Sequence, residues 1–237
     1  KEGVPFVSAP QKEEALEVLL RVAREKNAPM TLVGRDVKYE FQSSSLDGQD
    51  FIIHNSKFII PLLGSHQLVN AVTAYAALKA SGLSVSDAAI QKGFSQVKWP
   101  ARFEVARREP PVIFDSAHND DSFAKLCETL ETHFPSKQVY LIFGASEDKN
   151  IPGMFAEMKS KIKKLIVTRA DHPRALEPEK IIELAKQAGL ESEAVSPVES
   201  AFARALELSQ KDGSIVLSAG SMFVTAEVMV AWNKINS

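Results

Sequence analysis

The sequence predicts an α/β protein in two parts: a mixed first part, then from about residue 99 a mainly parallel sheet covered on both faces by helices. Three observations carry this. The chain opens with a strand, a helix and a strand, which is a β-α-β unit. After Trp99-Pro100, short apolar runs alternate strictly with helical stretches. Several of the later apolar runs end in a charged or glycine-bearing turn, on the edge where open α/β sheets take their ligands.

In order, residues 4–7 read as a strand, 12–25 as a helix with Ala15, Leu16, Leu19, Leu20 and Ala23 at helical spacing, and 30–33 as a second strand. Residues 39–42, 51–54 and 57–60 read as a short antiparallel meander. Leu46-Asp47-Gly48-Gln49 and His54-Asn55-Ser56-Lys57 supply its turns. Gly64-Ser65-His66-Gln67-Leu68-Val69-Asn70 opens a helix whose small apolar face, from Ala71 through Leu78, runs until Ser81-Gly82. A shorter helix is expected over 86–94, capped by Ser86. Beyond Trp99, strands are expected over 112–115, 139–143, 164–168, 193–195 and 214–219. The helices between and after them are expected over 121–133, 151–161, 178–187, 198–211 and 222–232.

Composition excludes several classes. The formal charge is −2 and no basic stripe interleaves with aromatics, which argues against nucleic acid. No apolar run approaches the roughly 18 residues of a spanning helix; the richest, residues 58–63, is broken by Pro61, so a membrane partner is not expected. Cys127 is the one cysteine, which rules out an internal disulfide or a paired-cysteine metal site and suits the cytoplasm. Lys1-Glu2-Gly3-Val4-Pro5 has no signal-peptide pattern, begins without methionine, and reads as the middle of a longer chain.

The chemistry concentrates in Trp99-Pro100-Ala101-Arg102-Phe103-Glu104 and Phe114-Asp115-Ser116-Ala117-His118-Asn119. An arginine can neutralise a phosphate with two parallel hydrogen bonds, an aspartate at a strand end can accept from ribose hydroxyls, and a histidine can hold or move a proton near neutrality. A nucleotide suits that set. His66 and Asn70 lie four apart at a helix start, near free backbone N–H groups. Further strand ends carry Gly144 with Asp148-Lys149, Arg169-Ala170-Asp171-His172-Pro173-Arg174, and Ser218-Ala219-Gly220-Ser221. Each has a plainer reading: a cap, an Arg102–Glu104 surface ion pair, an Asp115 that caps the helix beginning near Asp121, a loop histidine. No Gly-x-Gly-x-x-Gly is present.

Taken together and in this order, these stretches resemble the signatures of folylpolyglutamate synthase and dihydrofolate synthase, the folate branch of the Mur ligase superfamily. The resemblance covers essentially the whole chain. It implies that residues 1–99 are the C-terminal part of a P-loop-type, ATP-binding central domain and that 100–237 are a Rossmann-like C-terminal domain. It further implies a magnesium- and ATP-dependent ligase that joins L-glutamate to a folate through an acyl phosphate; apart from the resemblance, a monomer is expected. On this pattern Asn70 meets the adenine of ATP, Arg102 its terminal phosphates and Asp115 the ribose, and His66 is also expected in the ATP site. His118, which would be the catalytic residue, lies with Ser221 and Arg174 near the incoming glutamate.

Departures from the pattern matter as well. No Gly-x-x-x-x-Gly-Lys-Ser/Thr occurs in the chain, so the phosphate cradle and the magnesium ligands are expected upstream and the chain alone is expected to be inactive. Glycines are expected where Ala101 and Ser116 stand, and a proline where Asp120 stands. Two other readings compete: a stand-alone nucleotide- or glutamate-binding module without catalysis, and a peptidoglycan-precursor ligase of the same superfamily. The histidine of Asp-Ser-Ala-His-Asn, where those relatives usually show lysine, argues against the second.

Overall fold

The computed structural model describes residues 1–236 and divides into two compact units, Lys1–Lys98 and Trp99–Ser237. In the first, β1 (Phe6–Ser8), α1 (Glu13–Glu25) and β2 (Met30–Leu32) form a parallel β-α-β unit. The antiparallel meander follows as β3 (Tyr39–Ser45), β4 (Gly48–Ile53) and β5 (Ser56–Ile60), then α2 (Ser65–Ala80) and α3 (Asp87–Ser95). Alternation along β4 and β5 turns Phe51, Ile53, Phe58 and Ile60 inward onto Leu68, Val72, Tyr75 and Ile90 of the two helices. Ser86 caps α3 by accepting the Ala89 N–H at 3.2 Å, as expected.

The second unit comprises β6 (Glu104–Arg108), β7 (Pro111–Phe114), α4 (Asp120–His133), β8 (Val139–Phe143), α5 (Ile151–Met158) and β9 (Ile162–Val167). It continues with α6 (Pro178–Gln187), β10 (Ser192–Ala194), α7 (Val198–Asp212), β11 (Ile215–Ala219) and α8 (Met222–Asn236). The sheet order is β10-β9-β8-β11-β7-β6, parallel except for β6. β7, β8 and β11 are buried along their whole length, as strands with both faces covered must be. Since β11 inserts between β7 and β8, their C-terminal ends lie side by side. That fact positions the candidate site.

Several elements differ from expectation, each for a local reason. β6 is not signalled by Glu-Val-Ala-Arg-Arg because an edge strand carries charges and needs no alternation; a bulge between Val105 and Arg107 bends it. Gly48 and Gln49 belong to β4 rather than to its turn, which shrinks to Leu46-Asp47. α5 stops at Met158 instead of running to Lys161, since Lys161 turns aside to donate to the Pro135 carbonyl at 2.7 Å and pair with Glu131. Asp115 leaves β7 because its side chain accepts a backbone N–H two residues on. No helix of the described residues is long and apolar enough to cross a membrane.

Candidate active site

The site grows from the turn after β7. Asp115 Oδ2 accepts the Phe103 N–H at 2.8 Å and Oδ1 the Ala117 N–H at 2.7 Å, so one carboxylate fixes two loops. Burial raises its carboxyl from the ordinary 3.8 to about 6, against these two bonds and the nearby charges of Arg102 and His118. Ser116 follows, and all three of its polar groups are used. Its N–H donates to the Ala101 carbonyl at 2.9 Å, its Oγ accepts from Arg102 Nη1 at 2.9 Å, and its carbonyl accepts from His118 Nδ1 at 2.9 Å. A carbonyl can only accept, so Nδ1 carries a proton and Nε2 is the atom left for chemistry.

Arg102, Asp115 and His118 are thus brought together, and the plainer readings fall locally. Glu104 takes the Ala101 N–H at 2.9 Å, while Arg102 turns to Ser116. Asp115 caps no helix: Asn119 caps α4, in a reciprocal arrangement with Ser122. Ala101 and Phe103 both hold positive φ, 56° and 47°, which accounts for the glycine expected at Ala101.

The end of β11 is joined to this turn. The Gly220 N–H donates to the Ala117 carbonyl at 2.7 Å, and Thr225 of α8 donates to the Asp115 carbonyl at 3.0 Å. Gly220 has φ +102°, and a Cβ there would stand 2.5 Å from the Phe143 ring. Only glycine lets the chain cross here. Ser221, nearly buried, accepts the Phe223 N–H at 3.2 Å and keeps its own hydroxyl proton to give.

Arg174 stands apart from this group. It is exposed in the loop after β9, three strand positions from β7, or about 14 Å at ordinary sheet spacing. Its carbonyl accepts the Glu147 N–H at 3.3 Å, Leu176 donates to Ala145 at 2.9 Å, and its own N–H donates to His172 Nδ1 at 3.3 Å. The loops after β8 and β9 are thereby tied together, and the His172 ring stacks on Phe223 with centroids 4.0 Å apart.

His66 and Asn70 belong to the first unit, on the first turns of α2. Gln67, buried between them, donates to His66 Nε2 at 3.1 Å and accepts from Asn70 at 3.2 Å. Gln49, also buried, donates to the carbonyls of Leu62 and Gly64 at 2.7 and 3.0 Å and so fixes the entry to that helix. Neither glutamine is signalled as a site residue by the sequence. Gln67 sits inside the quoted motif, whereas Gln49 lies in a stretch that reads as a turn. Among the described residues no three His, Cys, Asp or Glu side chains gather to hold a metal ion.

Comparison with known proteins places the chain in a family. Residues 101–222 match the family described as Mur ligase, glutamate ligase domain. The dihydrofolate synthase/folylpolyglutamate synthase of Bacillus subtilis is 26% identical over 96% of this chain and 54% of its own length. The crystal structure of folylpolyglutamate synthase from Thermotoga maritima superposes with a TM-score of 0.78 at 28% identity, covering 97% of this chain and 54% of that one. Escherichia coli FolC in complex with DHPP and ADP gives 0.79 at 27%, covering 98% and 54%. The chain spans about half the length of these relatives. With a match over more than half its residues and a six-stranded sheet of the same fold, the chain belongs to the Mur ligase family, through its glutamate ligase domain.

Proposed function

We propose that this chain is part of an ATP-dependent carboxylate–amine ligase that adds L-glutamate to a folate. One observation carries the reading: the Ser116 turn holds Arg102 and His118 beside Asp115 at the end of β7, in a domain of the Mur ligase family. The first unit is then the C-terminal part of an ATP-binding domain and the second the Rossmann-like C-terminal domain.

The chemistry follows from the groups present. A folate carboxylate oxygen attacks the γ-phosphorus of ATP, the bond to ADP breaks, and an acyl phosphate forms. The glutamate amine then attacks the acyl carbon, the tetrahedral intermediate expels phosphate, and one proton leaves the nitrogen. The Arg102 guanidinium, with one N–H on Ser116 and the rest of its fork free of hydrogen-bond partners among the described residues, matches the charge that moves onto the transferring phosphate. His118 Nε2 takes the amine proton while Nδ1–H holds the ring to Ser116. Asp115 meets the ribose, and Ser221 and Arg174 meet the glutamate carboxylates. Asn70 meets adenine, and His66 lies with it in the ATP site. Magnesium supplies charge neutralisation at the phosphates when bound; its ligands are assigned outside this chain, and no step here is routed through it. The same reading has the protein as a cytoplasmic monomer without nucleic-acid or membrane partners.

The test is glutamate incorporation by the full-length polypeptide that contains this chain, with ATP and magnesium, offered tetrahydrofolate and dihydropteroate separately. Labelled glutamate in either product, one ADP released per glutamate, supports the proposal. Nucleotide binding with no incorporation into either would favour the binding-module reading instead.

A further inference from the structure

We infer that Ser116 is a positioning residue for Arg102, so that affinity for a triphosphate depends on a hydroxyl that never touches it. The inference rests on the ligase reading above for the identity of the anion, and on geometry for the rest. Ser116 is 7% exposed, whereas Arg102 is exposed and carries a long, freely rotating side chain. The bond from Nη1 to Ser116 Oγ, 2.9 Å, is what ties that side chain to the turn. It uses one of five guanidinium N–H groups and leaves an in-plane pair for two parallel bonds to a phosphate. The backbone of Ser116 is held independently, by the Ala101 carbonyl on one side and the His118 ring on the other. Deleting the hydroxyl therefore frees Arg102 while leaving His118 anchored.

A double-mutant cycle on the full-length protein, read as affinity for the ATP analogue AMPPNP by calorimetry, separates this from a merely structural role. Ser116→Ala should weaken AMPPNP roughly tenfold in the wild-type background, the size expected for a hydrogen bond to a charged group. In the Arg102→Ala background it should do nothing further. In steady state the KM for ATP should rise while that for glutamate holds. No loss in the wild-type background, or an equal loss in both, would overturn the inference, and Ser116→Gly serves in the same cycle if the alanine variant does not fold. Coupling with no ligase turnover would remove the glutamate–folate reading but keep Ser116 in its role. Turnover with a flat cycle would do the reverse, and absence of AMPPNP binding would overturn both.

Discussion

The backbone N–H of Phe103 donates to Asp115 Oδ2 at 2.8 Å, so the carboxylate at the end of β7 holds the turn that presents Arg102. Desolvation dominates that carboxylate and raises its pKa to about 6. The folded chain therefore keeps the Asp115 proton to a higher pH than the unfolded chain does. Its contribution to stability is fully present below about pH 4 and lost as the pH rises through about 6, a change of up to about 3 kcal/mol. Denaturant unfolding across this window should show the decline in the wild-type chain and a flatter profile in Asp115→Asn. Identical slopes would assign the titration to another group.

Arg102 is expected to matter for turnover and little for folding. Removing it from the full-length protein should lower kcat/KM by roughly 30- to 1000-fold, about 2–4 kcal/mol of transition-state stabilisation. The thermal midpoint should stay near the wild-type value, because the side chain is exposed and what it holds is the Ser116 hydroxyl rather than an apolar core side chain. Normal turnover in Arg102→Ala would contradict its phosphate role.

Two glycines make opposite predictions. Gly220→Ala forces a Cβ to 2.5 Å from the Phe143 ring and 2.7 Å from the Gly144 carbonyl, at φ +102°, and should destabilise by about 2–4 kcal/mol. Gly93, inside α3, has open space where a Cβ would go, and Gly93→Ala should stabilise by about 0.5–1 kcal/mol. Urea midpoints of the two variants check both signs.

Ala101 sits at φ +56°, where a side chain is strained and glycine is not. Ala101→Gly should gain about 0.5–1 kcal/mol, the strain relieved exceeding the extra entropy of the unfolded chain. A loss of stability on chemical unfolding would show that the alanine is needed for packing.

Much of this arrangement is legible from residue order. The buried strands β7, β8 and β11 stand out as continuous apolar runs, and the turn chemistry after them marks one edge of the sheet. That Asp115, Arg102 and His118 meet is implied by the motifs that contain them. What binds them is not, because Ser116 acts through its hydroxyl and carbonyl together, and a serine announces neither. β6 escapes notice because edge strands tolerate Arg107 and Arg108 where a central strand would not. Gln49 escapes for a different reason: its partners are the carbonyls of Leu62 and Gly64, 13 and 15 residues away, and such pairings leave no local pattern.

The proposed route through an acyl phosphate makes one direct demand. In a single turnover of the full-length protein with ATP, glutamate and a folate carrying 18O in its terminal carboxylate, one labelled oxygen should appear in the inorganic phosphate per amide bond formed. Product formed with no label in the phosphate would contradict the route, and with it the role given to Arg102.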